Sequence, residues 1–220
     1  MSNTSNFTSQ LFNSLFVHKT NAVMRAIYPD FLWRIPNTEK KIYLTFDDGP
    51  IPEITEFVLE TLNEYNAKAT FFCIGDNVVK HPQVFNKIID NQHSVGNHTF
   101  NHLKGWNTEN DVYFENIKKC ENVLFQDNPK KIFRPPYGRI KKSQAKILIS
   151  EYEIVMWDVL TADYSKDISK ENCLKNALKY TESGSIVVFH DSIKAFNNMS
   201  YTLPRLLNEF SEQGYSFESL

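Results

Sequence analysis

The 220-residue sequence predicts an α/β fold: a parallel sheet with helices packed outside it, either open or closed as a barrel. Three observations predict it. From residue 41 onward, short apolar runs rich in β-branched and aromatic residues alternate with stretches of helical spacing, giving about seven βα units. No low-complexity linker and no close repeat interrupts this rhythm. The composition, 41% hydrophobic and 23% charged, is that of a chain able to bury a core, and the length suits one catalytic domain.

The elements follow in order. Ile42-Tyr43-Leu44-Thr45-Phe46 reads as a strand. Ile54, Phe57, Val58 and Leu62 lie on one face of a helix over residues 52–65. A strand is expected at 69–74, a helix near 82–89, a short strand at 94–97 and a long helix at 111–125. Strand-like segments recur at 131–133, 153–157, 185–189 and 215–217, with helices at 143–149, 170–180 and 204–210. Residues 1–40 stand apart as an N-terminal extension before a catalytic domain at 41–220. Phe7, Leu11, Phe12, Leu15 and Phe16 recur there at near-helical spacing, followed by Ile27, Phe31, Leu32 and Trp33. Only His18, Lys19 and Arg25 could supply positive charge for an anionic membrane surface, so packing against the domain is the expected use.

Composition excludes several classes of function. The net charge of −2 leaves no basic footprint for nucleic acid. No run approaches the roughly 18 apolar residues of a membrane span. The polar start Met1-Ser2-Asn3-Thr4-Ser5-Asn6 shows no secretory signal, from which a cytoplasmic location is expected. Cys73, Cys120 and Cys173 are odd in number and widely spaced, so neither a disulfide framework nor a cysteine metal knuckle is indicated.

Five chemically loaded segments fall at or just past the C-terminal ends of expected strands, the face on which parallel barrels place their active sites. They are Thr45-Phe46-Asp47-Asp48-Gly49, the stretch from Asn97 to His102, Phe133-Arg134-Pro135-Pro136-Tyr137-Gly138, the stretch from Trp157 to Tyr164, and Val188-Phe189-His190-Asp191. Each has a plain reading by itself. Asp47-Asp48-Gly49-Pro50 is turn chemistry. His98 and His102, four apart, would share a face on a helical turn, a spacing that suits metal ligation but also arises by chance. Arg134 can be an ordinary arginine beside a rigid turn, and His190 a buried, hydrogen-bonded histidine. The set is more specific than its members. An Asp pair with two histidines supplies an Asp-His-His metal site plus a spare carboxylate, and a third histidine supplies an acid. Amide hydrolysis needs an activated water, a stabilised oxyanion and a proton for the amine. Imidazole and carboxylate ligands suit one divalent ion, Zn²⁺ first, with other divalent metals open.

These five segments, in this order, resemble the motifs of the polysaccharide deacetylase family, which shares the NodB-homology domain, over about residues 41–220. The resemblance implies a distorted (β/α) barrel with about seven parallel strands and an enzyme that removes N-acetyl groups from the amino sugars of a chitin-like or peptidoglycan-like glycan. It implies Asp47 as catalytic base, Asp48, His98 and His102 as metal ligands, and Arg134 as the residue holding Asp47. The backbone N–H of Tyr137 would bind the oxyanion, Asp163 would orient the general acid His190, and Val188 would line the acetyl pocket. Tyr164 stands where the family often has Trp, and Val188 where Leu is common, so both bear on substrate shape. Trp106 is either a sugar-stacking platform or a packed loop residue. Wall-polymer enzymes of this family would be expected to carry an export signal, which stands in tension with the polar N-terminus. Two other readings are a deacylase acting on a small non-sugar amide and a non-catalytic carbohydrate-binding domain.

Overall fold

The computed structural model describes residues 18–36, 39–124 and 131–220. Phe7, Leu11, Phe12, Leu15, Phe16 and Phe125 lie outside the described residues.

Eight parallel strands form one sheet: β1 (Lys41–Asp47), β2 (Ala69–Cys73), β3 (Ser94–Asn97), β4 (Ile132–Phe133), β5 (Glu153–Ile154), β6 (Val159–Leu160), β7 (Ile186–His190) and β8 (Ser216–Phe217). The order is β5-β4-β3-β2-β1-β7-β6, with the short β8 joined to the start of β1. The helices are α1 (Ala22–Ile27), α2 (Ile54–Glu64), α3 (Gly75–Lys80), α4 (Pro82–Asp90), α5 (Asn110–Leu124), α6 (Lys142–Leu148), α7 (Lys170–Tyr180) and α8 (Phe196–Glu212).

The sequence forces this sheet to curl. β5 and β6 are its two ends, yet only residues 155–158 separate them. Five Cα steps span at most about 18 Å, whereas the outer strands of a flat seven-stranded sheet would lie about 29 Å apart. The barrel seam is therefore bridged by the chain itself. Residues 18–35 fill it. Leu32 donates to the Ile154 carbonyl and accepts from the Met156 N–H on one edge. Thr20 donates to the Asp158 carbonyl, and Leu160 donates to the His18 carbonyl, on the other. Fully buried Asp158 anchors this seam: its carboxylate accepts from Lys19 at 2.7 Å, Arg25 at 3.0 Å and Ser185 at 2.8 Å. Phe31 and Trp33 pack with Phe133, Ile154 and Met156.

Strand alternation sorts the side chains. On β1, Ile42, Leu44 and Phe46 face the helices, in one cluster with Val58 and Leu62 of α2 and Met199, Leu203 and Leu206 of α8. Tyr43, Thr45 and Asp47 have the opposite parity. Tyr43 joins Phe72, Ile132, Val155 and Ile186 in a second, separate cluster that fills the barrel interior. On β7, Val187 and Phe189 face the helices while Val188 and His190 take the inner parity.

Three expectations are corrected. The run 153–157 is not one strand: pairing in β5 ends at Ile154, the chain crosses the seam, and β6 starts at Val159 on the far edge. The helix expected to begin at Pro204 begins at Phe196, with Pro204 inside it. Burial of Met199, Thr202, Leu203 and Leu206 carries the helix through the missing N–H. The short α1, whose Asn21 cap accepts from the Met24 N–H, and α3 have no counterpart among the expected elements. Among the described residues no helix is long and apolar enough to cross a membrane.

Candidate active site

The five polar segments meet at the C-terminal ends of the strands, around a cleft of about 720 Å³. Asp47 is the last residue of β1 and lies in register with His190, the last residue of β7. His98 follows β3, and Arg134 follows β4. Tyr137 is on the loop after β4, and Asp163 and Tyr164 are on the loop after β6.

Asp47 and Arg134 form a buried pair. Arg134 Nη1 donates to Asp47 Oδ1 at 2.7 Å and to Thr45 Oγ1 at 2.7 Å. Its Nε and Nη2 donate to the carbonyls of Val155 and Met156, and the guanidinium lies 4.1 Å from the Phe72 ring centre. The fully buried arginine is thus fixed at three corners. Burial opposes ionisation of Asp47, but the adjacent guanidinium, together with the His98 and His190 rings, outweighs it and holds the carboxyl below the ordinary range.

Asp48 takes a positive φ of 87°. The turn is set by neighbours: Asn77 donates to the Asp48 carbonyl at 2.7 Å, and the Gly49 N–H donates to Asp191 Oδ1 at 3.0 Å. A Cβ at Gly49 would fall 1.9 Å from Asp191 Oδ2, so only glycine fits. Asp191 is itself held by Thr55 Oγ1, and burial pushes its carboxyl up to about 8.

Asp48 Oδ1 lies 3.3 Å from His102 Nε2 and 3.8 Å from His98 Nε2, and the three ligand atoms lie within 4.8 Å of one another. His98 donates Nδ1–H to the Arg134 carbonyl at 2.8 Å, which leaves Nε2 as a lone-pair donor facing Asp48. Burial lowers the His98 pKa to about 4, so the ring is neutral and able to ligate. Asp48 Oδ1 is buried with no hydrogen-bond partner. A buried, unsatisfied carboxylate oxygen facing two imidazoles fits a divalent cation. The helical-turn geometry expected of His98 and His102 is not what brings them together. They sit on a loop with Thr99 at φ 65° and His102 at φ 55°, which sets their rings 5.1 Å apart.

On the other side, Asp163 grips His190 twice: Oδ1 accepts from Nδ1–H and Oδ2 from the backbone N–H, both at 2.8 Å. Burial alone would lower the imidazole pKa, but the facing carboxylate, with Asp48 and Asp47 nearby, outweighs it and raises it to about 9. Asn198 of α8 donates to the Asp163 carbonyl and ties down this loop. The Tyr164 ring stands edge-on to His190 at 4.8 Å, and Val188 lines the cleft beside them. Tyr137 is exposed, at φ 61°, with its ring 4.7 Å from that of His102. Among the described residues, five of the eight non-glycine residues at positive φ (Asp48, Thr99, His102, Tyr137 and Ala162) lie on these loops. Such conformations cost of order 1–3 kcal/mol each and gather where a site needs them.

Trp106 is the exception among the candidate residues. It does not line the cleft: its indole N–H donates to the Ile140 carbonyl, and its face carries the Arg139 guanidinium at 4.9 Å. Trp157, Leu160, Arg139, Lys104, Ile193 and Lys194 do line it and were not among the candidates. Trp157 sits in one of the five loaded segments, so position pointed to it. Asp191 likewise ends the fifth of those segments, whereas Asn198 has no comparable signal, because its role depends on tertiary packing.

What these groups suit together is hydrolysis: an Asp-His-His cluster that could hold a cation, an ionised carboxylate beside it and a protonated imidazole face one cleft in a curled parallel barrel. The chain belongs to the polysaccharide deacetylase family, whose model matches residues 34–152. It is 35% identical over 190 residues to a peptidoglycan-N-acetylglucosamine deacetylase of Bacillus cereus, covering 84% of this chain and 88% of that protein. It is 33% identical over 163 residues to a chitooligosaccharide deacetylase of Azorhizobium caulinodans, covering 72% of this chain and 77% of that one. Among solved structures, the Bc1960 peptidoglycan N-acetylglucosamine deacetylase superposes with a TM-score of 0.83 at 30% identity, covering 91% of this chain and 95% of that one.

Proposed function

We propose that this chain hydrolyses the N-acetyl amide of amino sugars in a glycan, releasing acetate and a free amine. The observation that carries the reading is the unsatisfied Asp48 Oδ1 facing His98 and His102, between the Asp47–Arg134 and His190–Asp163 pairs. The family supports it, as do the activities named for the two relatives.

Asp48, His98 and His102 would hold one divalent cation, Zn²⁺ by the mixed imidazole and carboxylate donors. Bound there, it supplies Lewis acidity to the amide carbonyl and to the attacking water. Asp47, kept ionised by Arg134, accepts the water's proton. The backbone N–H of Tyr137 would donate to the developing oxyanion, an interaction worth about 100- to 1000-fold when such a donor is removed. His190, kept protonated by Asp163, gives its proton to the departing amine. Val188, Leu160 and Tyr164 form the apolar wall for the acetyl methyl. In this reading residues 41–220 are the catalytic unit, residues 1–40 are an extension to it, and the described residues 18–35 of that extension serve it by occupying the seam.

The test is acetate release from metal-loaded protein across a panel of N-acetylated glucosamine oligomers, wall-type glycans and small N-acetyl amines lacking a sugar. Turnover on the glycans at a kcat/KM well above that on the small amines supports the proposal. Turnover confined to the small amines would replace it with a general amide deacylase.

A further inference from the structure

Resting on that reading, the cleft wall points to a finer substrate class. The chain as a whole is slightly acidic, with 24 Lys and Arg against 26 Asp and Glu. The cleft is not. Apart from Asp47 and Asp48, its wall carries no carboxylate, while Lys104, Arg139 and Lys194 all line it. Some surface cations elsewhere are paired, Lys80 with Asp76, Lys87 with Glu56 and Arg34 with Glu182. Among the described residues, none of the three cleft cations has an ion-pair partner. Each is instead set against an aromatic ring. Lys104 Nζ is 5.5 Å from the Tyr137 ring centre, Lys194 Nζ 5.3 Å from that of Tyr164, and Arg139 Cζ 4.9 Å from that of Trp106. A ring holds a cation in place without neutralising it. The result is three positioned charges left available to a ligand.

Their placement is two-sided. Lys104 follows β3 and Arg139 follows β4, whereas Lys194 follows β7. The reacting carboxylates leave β1, which lies between β7 and the β2-β3-β4 side of the sheet. Charges on both flanks of the reacting centre match a chain of sugars passing through it, with acidic groups on the neighbours of the N-acetylated sugar. We propose that the substrate is an anionic N-acetylated glycan, and that Lys104, Arg139 and Lys194 select it over a neutral one by meeting its acidic substituents. Carboxylate and phosphate monoester would both satisfy this chemistry.

Three oligosaccharides of equal length test it with the full metal-loaded chain: one neutral and N-acetylated, one with O-carboxyalkyl groups on alternate sugars, one with phosphate monoesters there. Exposed charge contacts change affinity by about 2- to 5-fold each, so the three together give an acidic-over-neutral kcat/KM ratio of about 10 to 100 at low salt. That ratio should fall several-fold between about 0.1 M and about 1 M salt, as the screening length shortens from about 10 Å to about 3 Å. The K104Q/R139Q/K194Q variant should bring it close to one, and single variants should show which flank matters. The carboxylate and phosphate arms identify the preferred acid. A wild-type ratio near one, or a variant that lowers both substrates equally, overturns the inference. Binding of the same oligosaccharides, followed by tryptophan fluorescence, separates the two claims. Tighter acidic binding without acetate release keeps the inference and removes the deacetylase reading; equal binding removes the inference itself.

Discussion

Replacing Asp163 with Asn should move the alkaline limit of activity, not merely lower the rate. Asp163 Oδ1 lies 2.8 Å from His190 Nδ1, and that carboxylate is the main influence raising the imidazole pKa from 6.5 to about 9. Burial acts in the opposite direction and persists in the variant, so His190 should fall to 6.5 or below. In the proposed mechanism the protonated form is the acid, so activity holds below this pKa and falls as pH rises through it. At pH 8 an imidazole with a pKa of about 9 is about nine-tenths protonated, and one at 6.5 only about 3%, a loss of about 30-fold from protonation alone. A cation on Asp48 offsets one carboxylate that helps to raise the pKa, so both limbs move down together, and their separation is the quantity to read. The assay is kcat against pH on an N-acetylated oligosaccharide, with metal content checked in parallel. The same pair stabilises the fold: its contribution is full below about 6.5 and is lost as pH rises through about 9. An unchanged alkaline limb in Asp163→Asn, with a uniformly lower rate, would refute His190 as the acid that Asp163 tunes.

Asp47→Asn should retain the metal and the fold but lose turnover by at least about 100-fold, as removal of a general base does; near-native activity would reassign the base. Arg134→Met strands a buried carboxylate and should destabilise the protein by about 3–5 kcal/mol in urea unfolding. A loss under about 1 kcal/mol would mean that Asp47 finds another partner. Lys19→Ala/Arg25→Ala removes two of three partners of fully buried Asp158; because both cations are partly exposed, the loss should be nearer about 2–3 kcal/mol. Unchanged stability there would show that the seam is held by backbone pairing alone.

The sheet was legible because each of its central strands carries its own signal. The alternation in Ile42-Tyr43-Leu44-Thr45-Phe46 reports both faces of β1, and the loaded residues begin where the apolar run ends. The expected segments for β1, β2, β3 and β7 match the strands to within one residue at either end. The seam was not legible. Val155, Met156 and Trp157 continue the apolar run of β5, and nothing local says that the chain leaves one sheet edge for the other, because that crossing is fixed by the curl of the whole sheet. The loop holding His98 and His102 misled for a similar reason. Four-residue spacing suggests a helical turn, while the geometry comes from positive φ at Thr99 and His102, on a loop where Asn97 and Asn116 accept from the Thr99 and Phe100 N–H groups. Trp106, an aromatic beside a motif, reads either as a sugar platform or as a packed loop residue, and its indole N–H is taken up by the Ile140 carbonyl.

The most direct measurement is a metal titration of stripped protein, following acetate and free amine released from an N-acetylated glucosamine oligomer. If Asp48, His98 and His102 form the one working site, activity should rise linearly with added Zn²⁺ and stop at one equivalent. Acetate and amine should appear in equal amounts, and His98→Ala/His102→Ala should neither retain the ion nor turn over. Full activity in the stripped protein, or tight stoichiometric metal retained by the double variant, would contradict a hydrolase built on that site.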